Sequence, residues 1–164
     1  MISQLLNTIR KNHAMEHATI GLLLEEGNVK PPIAGYATPF GFFVLGKVNS
    51  NHLNEAVRTA IRRLQDGEAD LAVSPFCGTN LLVAATLASL CVIITIRGNS
   101  PIKKLPAAIS STLLGLVASQ PIGRLIQQHV TTNARIENST VQSVNSIGNL
   151  HFIRTSKLPD NELT

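Results

Sequence analysis

The sequence predicts an α+β protein in which an N-terminal amphipathic helix and a small mixed sheet with a crossover helix are interrupted by a two-helix transmembrane hairpin. Three observations predict this class: a helical repeat of apolar residues at the start, short β-rich segments, and two long uncharged stretches between them. The 164 residues fit one core. We therefore expect one α+β domain over residues 1–155 with the hairpin inserted, and a flexible tail over residues 156–164.

Composition excludes several classes of protein. Charged residues make up only 15% of the chain, which is too few for a disordered protein. The two cysteines, Cys77 and Cys91, are too few for a small disulfide-stapled fold. The net charge is only +4, and the sequence has no run of lysine or arginine that would form a basic surface for nucleic acid. We therefore expect no nucleic-acid partner.

The first element is a helix over residues 2–26, which the pair Gly27-Asn28 ends. Leu22 is the main residue outside its apolar arc. The residues within that arc are Ile2, Leu5, Leu6, Ile9, Ile20, Leu23 and Leu24.

A strand, a turn at Thr38-Pro39 and a second strand over 41–48 follow the first helix. Asn49 or Ser50 then caps a helix over 51–66. The segment ADLAVSP (69–75) reads as another strand, so that 41–74 resembles a βαβ or split βαβ unit. The buried stripe of the capped helix is predicted to be Leu53, Val57, Ala60, Ile61 and Leu64.

Two apolar stretches, 80–97 and 105–123, predict membrane spans. Arg97, the last residue of the first stretch, is the one charged residue in either of them. About 20 helical residues are long enough to cross the ~30 Å hydrocarbon core of a bilayer. Small residues at four-residue spacing, such as Gly115 and Ser119, allow two such helices to pack closely. A buried hairpin within a soluble core is the alternative.

The strongest sign of chemistry is the sequence His13-Ala14-Met15-Glu16-His17. Residues four apart on a helix lie one above the other, so His13 and His17 can bind one metal ion. Zinc accepts imidazole nitrogen, and a nearby carboxylate can act as general base toward water, which assigns Glu16 the catalytic role. The order H-x-x-E-H is similar to the inverted zinc peptidase motif.

Two other interpretations of this trio stay open. The three side chains can hydrogen-bond among themselves and with the backbone, since burying unpaired polar groups costs several kcal/mol. Alternatively, this end of the helix faces the membrane surface and stays hydrated.

A catalytic zinc needs a third protein ligand, and Cys77 is the first choice because it lies in a turn beside Gly78. A small buried cysteine under a turn is the alternative for Cys77. Other residues are expected elsewhere: His52 on a surface helix, His129 at the end of the second span, and Cys91 within a span. The carboxylate alternatives as ligands are Glu55, Glu68 and Asp70.

After the second span, residues 131–155 form two strands joined at Gly148-Asn149. His151, in the second of these strands, could reach the site. We expect no signal peptide, because charges and histidines occupy the place of its apolar core. Two spans place both flanks on one side of the membrane, and we expect that body to be cytoplasmic.

Four segments together resemble a known family. NHAMEHATIGLL, GFFVLGKV, GEADLAVSPFCGTN and QPIGRLIQQHVTT are similar to small two-span membrane proteins of cyanobacteria and related bacteria, classed as a domain of unknown function. The resemblance covers roughly residues 12–155, and HAMEHAT and CGTN are its most specific parts. It implies a plasma or thylakoid membrane location and brings no established activity.

The expected function is that of a membrane-anchored zinc hydrolase, a peptidase, whose expected partners are the lipid bilayer and a membrane protein as substrate or partner. The alternative is a non-enzymatic membrane scaffold or assembly factor, in which the His/Glu cluster is structural or holds structural zinc. Metal transport is disfavoured because the predicted spans carry no ionisable side chain to line a path.

Overall fold

A computed structural model describes residues 2–98 and 101–157 of the chain. The chain divides into two compact units. We call the first, Met1–Ser74 with Gln128–Thr164, the α/β unit, and the second, Pro75–Gln127, the helix-pair unit. Each unit is described by itself below.

The α/β unit combines two helices with a four-stranded sheet, which confirms the predicted α+β class. Helix α1 spans Ile2–Glu25 and helix α2 spans Ser50–Gln65. The sheet has the order β1-β2-β4-β3, and its neighbouring strands are antiparallel throughout. The four strands are β1 (Ala34–Thr38), β2 (Gly41–Leu45), β3 (Ser139–Ile147) and β4 (Leu150–Lys157).

The predicted strand at 69–75, and with it the βαβ unit, is wrong. Ala69–Ala72 is a short 3-10 helix, and all four strands of the sheet are antiparallel. Local bonds from Leu71 N to Glu68 O (3.2 Å) and from Val73 N to Asp70 O (3.1 Å) satisfy this backbone without a neighbouring strand. The place beside β2 that a crossover strand would occupy is taken by β4, which arrives after the helix pair.

The predicted C-terminal hairpin is confirmed, with Gly148 at a φ of 61° in the turn. Strand β4 runs to Lys157, two residues beyond the predicted domain end at 155. Residues 158–164 of the predicted tail lie outside the described residues.

Helix α1 is more deeply buried than its apolar arc predicts. It packs against α2, β1, β2 and the 3-10 helix, so residues on several of its sides are covered. Leu22, outside the predicted arc, is therefore 3% exposed. In contrast, Ile2, Leu5 and Leu6 within that arc are exposed, because the first turns of α1 extend past the core.

Helix α2 follows its prediction closely. The side chain of Asn49 caps it by accepting a hydrogen bond from Asn51 N at 2.8 Å. In the last turn of α2, Arg63 donates a hydrogen bond from Nε to Oε2 of Glu68, which lies beyond the helix, at 2.8 Å. This hydrogen bond lowers the pKa of the Glu68 carboxyl and raises the pKa of Arg63. The predicted buried stripe is confirmed at Leu53, Val57, Ala60, Ile61 and Leu64.

The helix-pair unit contains α3 (Gly78–Ile96) and α4 (Leu105–Ile126). The helical segments Gly78–Ile96 and Ile102–Thr131 are both long and apolar enough to cross a membrane. Of the small residues predicted to face the other helix, Gly115 and Ser119 of α4 are buried and Ser111 is half-buried. Gly123, one turn further along α4, is buried as well.

Polar contacts near both ends join α3 to α4 and to Gln127, the residue that follows α4. Near one end of the pair, Gln127 Nε2 donates to Asn80 Oδ1 at 2.7 Å. Near the other end, the hydroxyls of Thr95 and Ser111 are 2.9 Å apart. A side chain at Gly123 would overlap the Asn80 amide, so this glycine makes room for the first contact.

We predict that Gly123→Ala destabilises the helix pair, because the added methyl group displaces Asn80 from Gln127. The expected cost is about 1–3 kcal/mol, typical of overpacking. Gly78→Ala is the matched control, since nothing lies within 4 Å of a Cβ there. Thermal unfolding in detergent should give a lower midpoint for Gly123→Ala than for Gly78→Ala, and equal midpoints would contradict this packing.

Candidate metal centre

The two histidines of the predicted motif lie side by side on α1. Their ring centroids are 4.3 Å apart and their planes are tilted by 60°. This proximity is what a separation of four residues on a helix produces. The carboxylate of Glu16 lies beside them, with Oε2 3.9 Å from His13 Nε2. The structure therefore brings His13, Glu16 and His17 together within the α/β unit.

His17 is held by the backbone of the 3-10 helix. The side chain is buried, with the residue 4% exposed, and its Nδ1 lies 2.8 Å from Ala72 O. Its other ring nitrogen, Nε2, is also buried and has no hydrogen-bond partner among the described residues. A buried polar atom without a hydrogen-bond partner lowers the stability of the folded state by about 1–3 kcal/mol. A ligand bound at Nε2 would remove this cost.

His13 is held in the same way by the segment that follows α4. Its Nδ1 lies 2.9 Å from Thr131 O, at the end of a π-helical turn, Gln127–Thr131. Arg10 fixes that segment on α1, because its Nη2 donates to His129 O (2.8 Å) and to Thr132 O (3.0 Å). The carbonyl that orients His13 is thus itself fixed by a side chain one turn earlier on the helix.

These two contacts determine which nitrogen carries the proton in the neutral form of each ring. A carbonyl oxygen can only accept, so Nδ1 of His13 and of His17 carries the proton. In the neutral ring, Nε2 then presents a lone pair. A backbone carbonyl on one nitrogen and a metal on the other is the usual arrangement of a metal-binding histidine. The two imidazoles could therefore bind a metal ion.

Glu16 is buried against the first strand of the sheet. The residue is 5% exposed. A Cβ on Gly35 of β1 would overlap its carboxylate and lie 2.6 Å from its Cγ. Glycine at position 35 is therefore what allows the carboxylate to lie at this place next to His13.

Cys77 belongs to the helix-pair unit, where it is the N-cap residue of α3. Its Sγ accepts a hydrogen bond from Thr79 N at 3.4 Å, so the thiol caps this helix. Cysteine sulfur is a ligand type that binds metal ions together with imidazole nitrogen.

The carboxylates proposed as alternative ligands do not join this group. Glu55, Glu68 and Asp70 are exposed, and Glu68 is paired with Arg63.

The remaining histidines have other surroundings. His52 and His129 are exposed, as predicted. His151 is buried within the sheet, with Nδ1 2.7 Å from Ser146 Oγ and Nε2 3.3 Å from Gly46 O. Because Gly46 O can only accept, Nε2 carries the proton of His151, and both of its nitrogens are engaged. Its role is structural.

Sequence reasoning missed Ala72, Thr131 and Gly35. The first two act through backbone carbonyls, for which a sequence has no signal. Gly35 did offer one, because glycine inside a strand often marks the close approach of another group.

The protein belongs to the family described as a domain of unknown function (DUF6391), whose profile matches residues 8–144. The chain is also 32% identical over 162 residues to an uncharacterized protein of Picosynechococcus sp. (strain ATCC 27264 / PCC 7002 / PR-6), a match that covers 89% of this chain and 78% of that protein. No solved structure matches the chain significantly. The resemblance noted from the four sequence segments is thereby confirmed.

We predict that Gly35→Ala destabilises the α/β unit by about 1–3 kcal/mol, because the methyl group must displace the buried Glu16 carboxylate. Gly21→Ala, within α1, is the matched control, since a Cβ there meets nothing within 4 Å. Chemical unfolding of the metal-free protein in detergent measures both. A Gly35→Ala variant as stable as Gly21→Ala would contradict the packing of Glu16 on β1.

Proposed function

We propose that the protein is a membrane-anchored zinc hydrolase that cleaves peptide bonds. The observation that carries this proposal is the buried Nε2 of His17, which lacks a hydrogen-bond partner among the described residues while Nδ1 is held by Ala72 O. A metal ion would satisfy this nitrogen, and His13 on the neighbouring turn is oriented in the same manner.

The proposed third ligand is Cys77. It follows Ala72, which anchors His17, by five residues, and a chain of that length reaches at most about 18 Å. Its thiolate complements two imidazoles in a zinc site with three protein ligands, which leaves one position open for chemistry. Zinc supplies Lewis acidity when it is bound.

Glu16 is the proposed general base. Its carboxylate takes one proton from water as the oxygen of that water bonds to the scissile carbonyl carbon. It then gives the proton to the departing amide nitrogen as the C–N bond breaks. The products are a carboxylic acid and an amine, which become a carboxylate and an ammonium when the acid gives its proton to the amine, and Glu16 ends in its starting state. The 3.9 Å from Glu16 Oε2 to His13 Nε2 places the carboxylate beside the proposed metal ligands.

The membrane anchor is proposed from the surfaces of the two long helices. No residue of α3 is buried, and Leu81 and Ile94 are 74% and 72% exposed. Leaving so much apolar surface in water is unfavourable, at about 25 cal/mol for each Å². A bilayer, plasma or thylakoid, would cover it, and we propose that the α/β unit lies on the cytoplasmic side with access to membrane-protein substrates.

We predict that the detergent-purified protein holds close to one zinc ion per chain, and that His13→Ala and His17→Ala reduce this to background. Each substitution removes an oriented imidazole ligand. His52→Ala is the control, because His52 is an exposed residue of α2. Elemental mass spectrometry measures the metal. Equal zinc contents in His17→Ala and His52→Ala would contradict the site.

Under the same proposal, Glu16→Gln keeps the fold and the zinc but loses hydrolysis. General base catalysis contributes about 10²–10⁴-fold, and an amide side chain of the same shape cannot supply it. The measurement is cleavage of a peptide library by zinc-loaded protein, with zinc content determined in parallel. An activity unchanged by Glu16→Gln would rule out this role.

A second candidate function is a membrane scaffold or assembly factor in which the same residues hold a structural zinc. The burial of Glu16 and His17 favours it, because closed structural sites exclude water. In that case, removal of zinc should lower thermal stability, and Glu16→Gln should change stability alone. The combination of bound zinc, a large stability loss with chelator and no hydrolysis by the wild type would select this function.

A further inference from the structure

Strand β1 forms one edge of the sheet. In the order β1-β2-β4-β3 its partner within the sheet is β2, on one side only. Ala34, Gly35 and Tyr36 are exposed, and Tyr36 keeps 70% of its surface. An edge strand presents N–H and C=O groups that can pair with another extended chain.

The ladder between β2 and β4 determines which groups of β2 face β1. Thr155 N donates to Phe40 O at 3.2 Å, next to the pair Gly41–Arg154. In an antiparallel ladder, a hydrogen bond at this position lies beside a non-hydrogen-bonded pair, here Gly41 and Arg154. The N–H and C=O groups of the two residues in such a pair point away from each other. Gly41 therefore turns its N–H and C=O toward its β1 partner, Thr38.

The same alternation then runs along β1. Because Thr38 faces β2, so do Tyr36 and Ala34, two and four residues earlier. Gly35 and Ala37 lie between them, and their N–H and C=O groups point to the open edge. Gly35 is the residue whose Cα lies against Glu16. A chain paired with this edge would therefore run past the proposed general base.

A cavity at the Ala34 end of β1 adds a preference for charge. The residues that line it include Ala34, Lys30 and Lys47. No aspartate or glutamate is among the residues that line it. An acidic side chain on a chain leaving β1 at this end would meet two cations.

We propose that β1 is a docking edge for the substrate, which binds as an extended peptide segment that pairs with Gly35 and Ala37 and places an acidic side chain near Lys30 and Lys47. The proposal rests on the hydrolase function and names its substrate class. Main-chain pairing supplies affinity for any extended peptide, and the lysines supply selectivity. Pairing at Gly35 brings the peptide backbone to the Glu16 carboxylate.

The test uses zinc-loaded full-length Glu16→Gln protein in detergent, so that binding is measured without turnover. The probe is a fluorescein-labelled nonapeptide of alternating valine and glutamate, followed by fluorescence anisotropy. Two comparison peptides are the same sequence N-methylated at its five central residues and a version with lysine in place of glutamate. N-methylation removes the donors needed for strand pairing.

We expect the glutamate peptide to bind at least tenfold more tightly than either comparison peptide. A Lys30→Glu/Lys47→Glu double variant should lose the preference for glutamate over lysine. Absence of binding by the glutamate peptide, or equal binding of the N-methylated peptide, would overturn the proposal.

Variants of Ala37 separate this proposal from the hydrolase function. Ala37→Pro removes an outward N–H that the sheet does not use, whereas Ala37→Gly keeps it. With active, zinc-loaded protein, Ala37→Pro should raise KM about tenfold relative to Ala37→Gly and leave kcat nearly unchanged. Hydrolysis with equal KM values would overturn edge docking alone. Peptide binding without hydrolysis by the wild type would overturn the hydrolase function alone.

Discussion

Two backbone carbonyls hold the imidazole rings by their Nδ1 atoms: Ala72 O holds His17 at 2.8 Å, and Thr131 O holds His13 at 2.9 Å. Everything inferred about the site depends on this constraint, because it fixes the tautomer of both rings. A neutral imidazole held at Nδ1 offers a lone pair at Nε2, and at His17 that atom is buried with no partner among the described residues. Metal binding would remove the cost of this burial.

Helix α1 links the core and the site. Its residues between Asn12 and Leu23 are nearly all buried, and they include both apolar core residues and the polar trio. Asn12 ties the helix to the sheet, donating to Thr38 O at 2.7 Å and accepting from Thr155 Oγ1 at 2.8 Å. The same close packing of α1 on β1 brings Glu16 against Gly35. The packing of α1 on β1 therefore explains why the proposed base, Glu16, lies next to the open edge of the sheet.

Local signals predicted most elements. The caps and repeats of α1 and α2, the turn at Thr38-Pro39 and the turn at Gly148-Asn149 each arise from residues close in sequence. The strand predicted at 69–75 was wrong because its formation depends on residues that are distant in sequence. Whether this segment becomes a strand or a 3-10 helix depends on which part of the chain lies beside β2, and the pattern of seven residues does not determine that. The trio on α1 was likewise readable from a four-residue spacing. Its backbone anchors were not, because every residue has a carbonyl group.

The most direct test of the central claim is the electronic spectrum of the protein with cobalt in place of zinc. Cobalt bound by two imidazoles and one thiolate should give intense tetrahedral ligand-field bands and a thiolate-to-cobalt charge-transfer band. The account predicts that Cys77→Ser loses the charge-transfer band and that His17→Ala loses both sets of bands. A cobalt spectrum of the wild type without these bands, or one unchanged by His17→Ala, would contradict a metal centre built on His13 and His17.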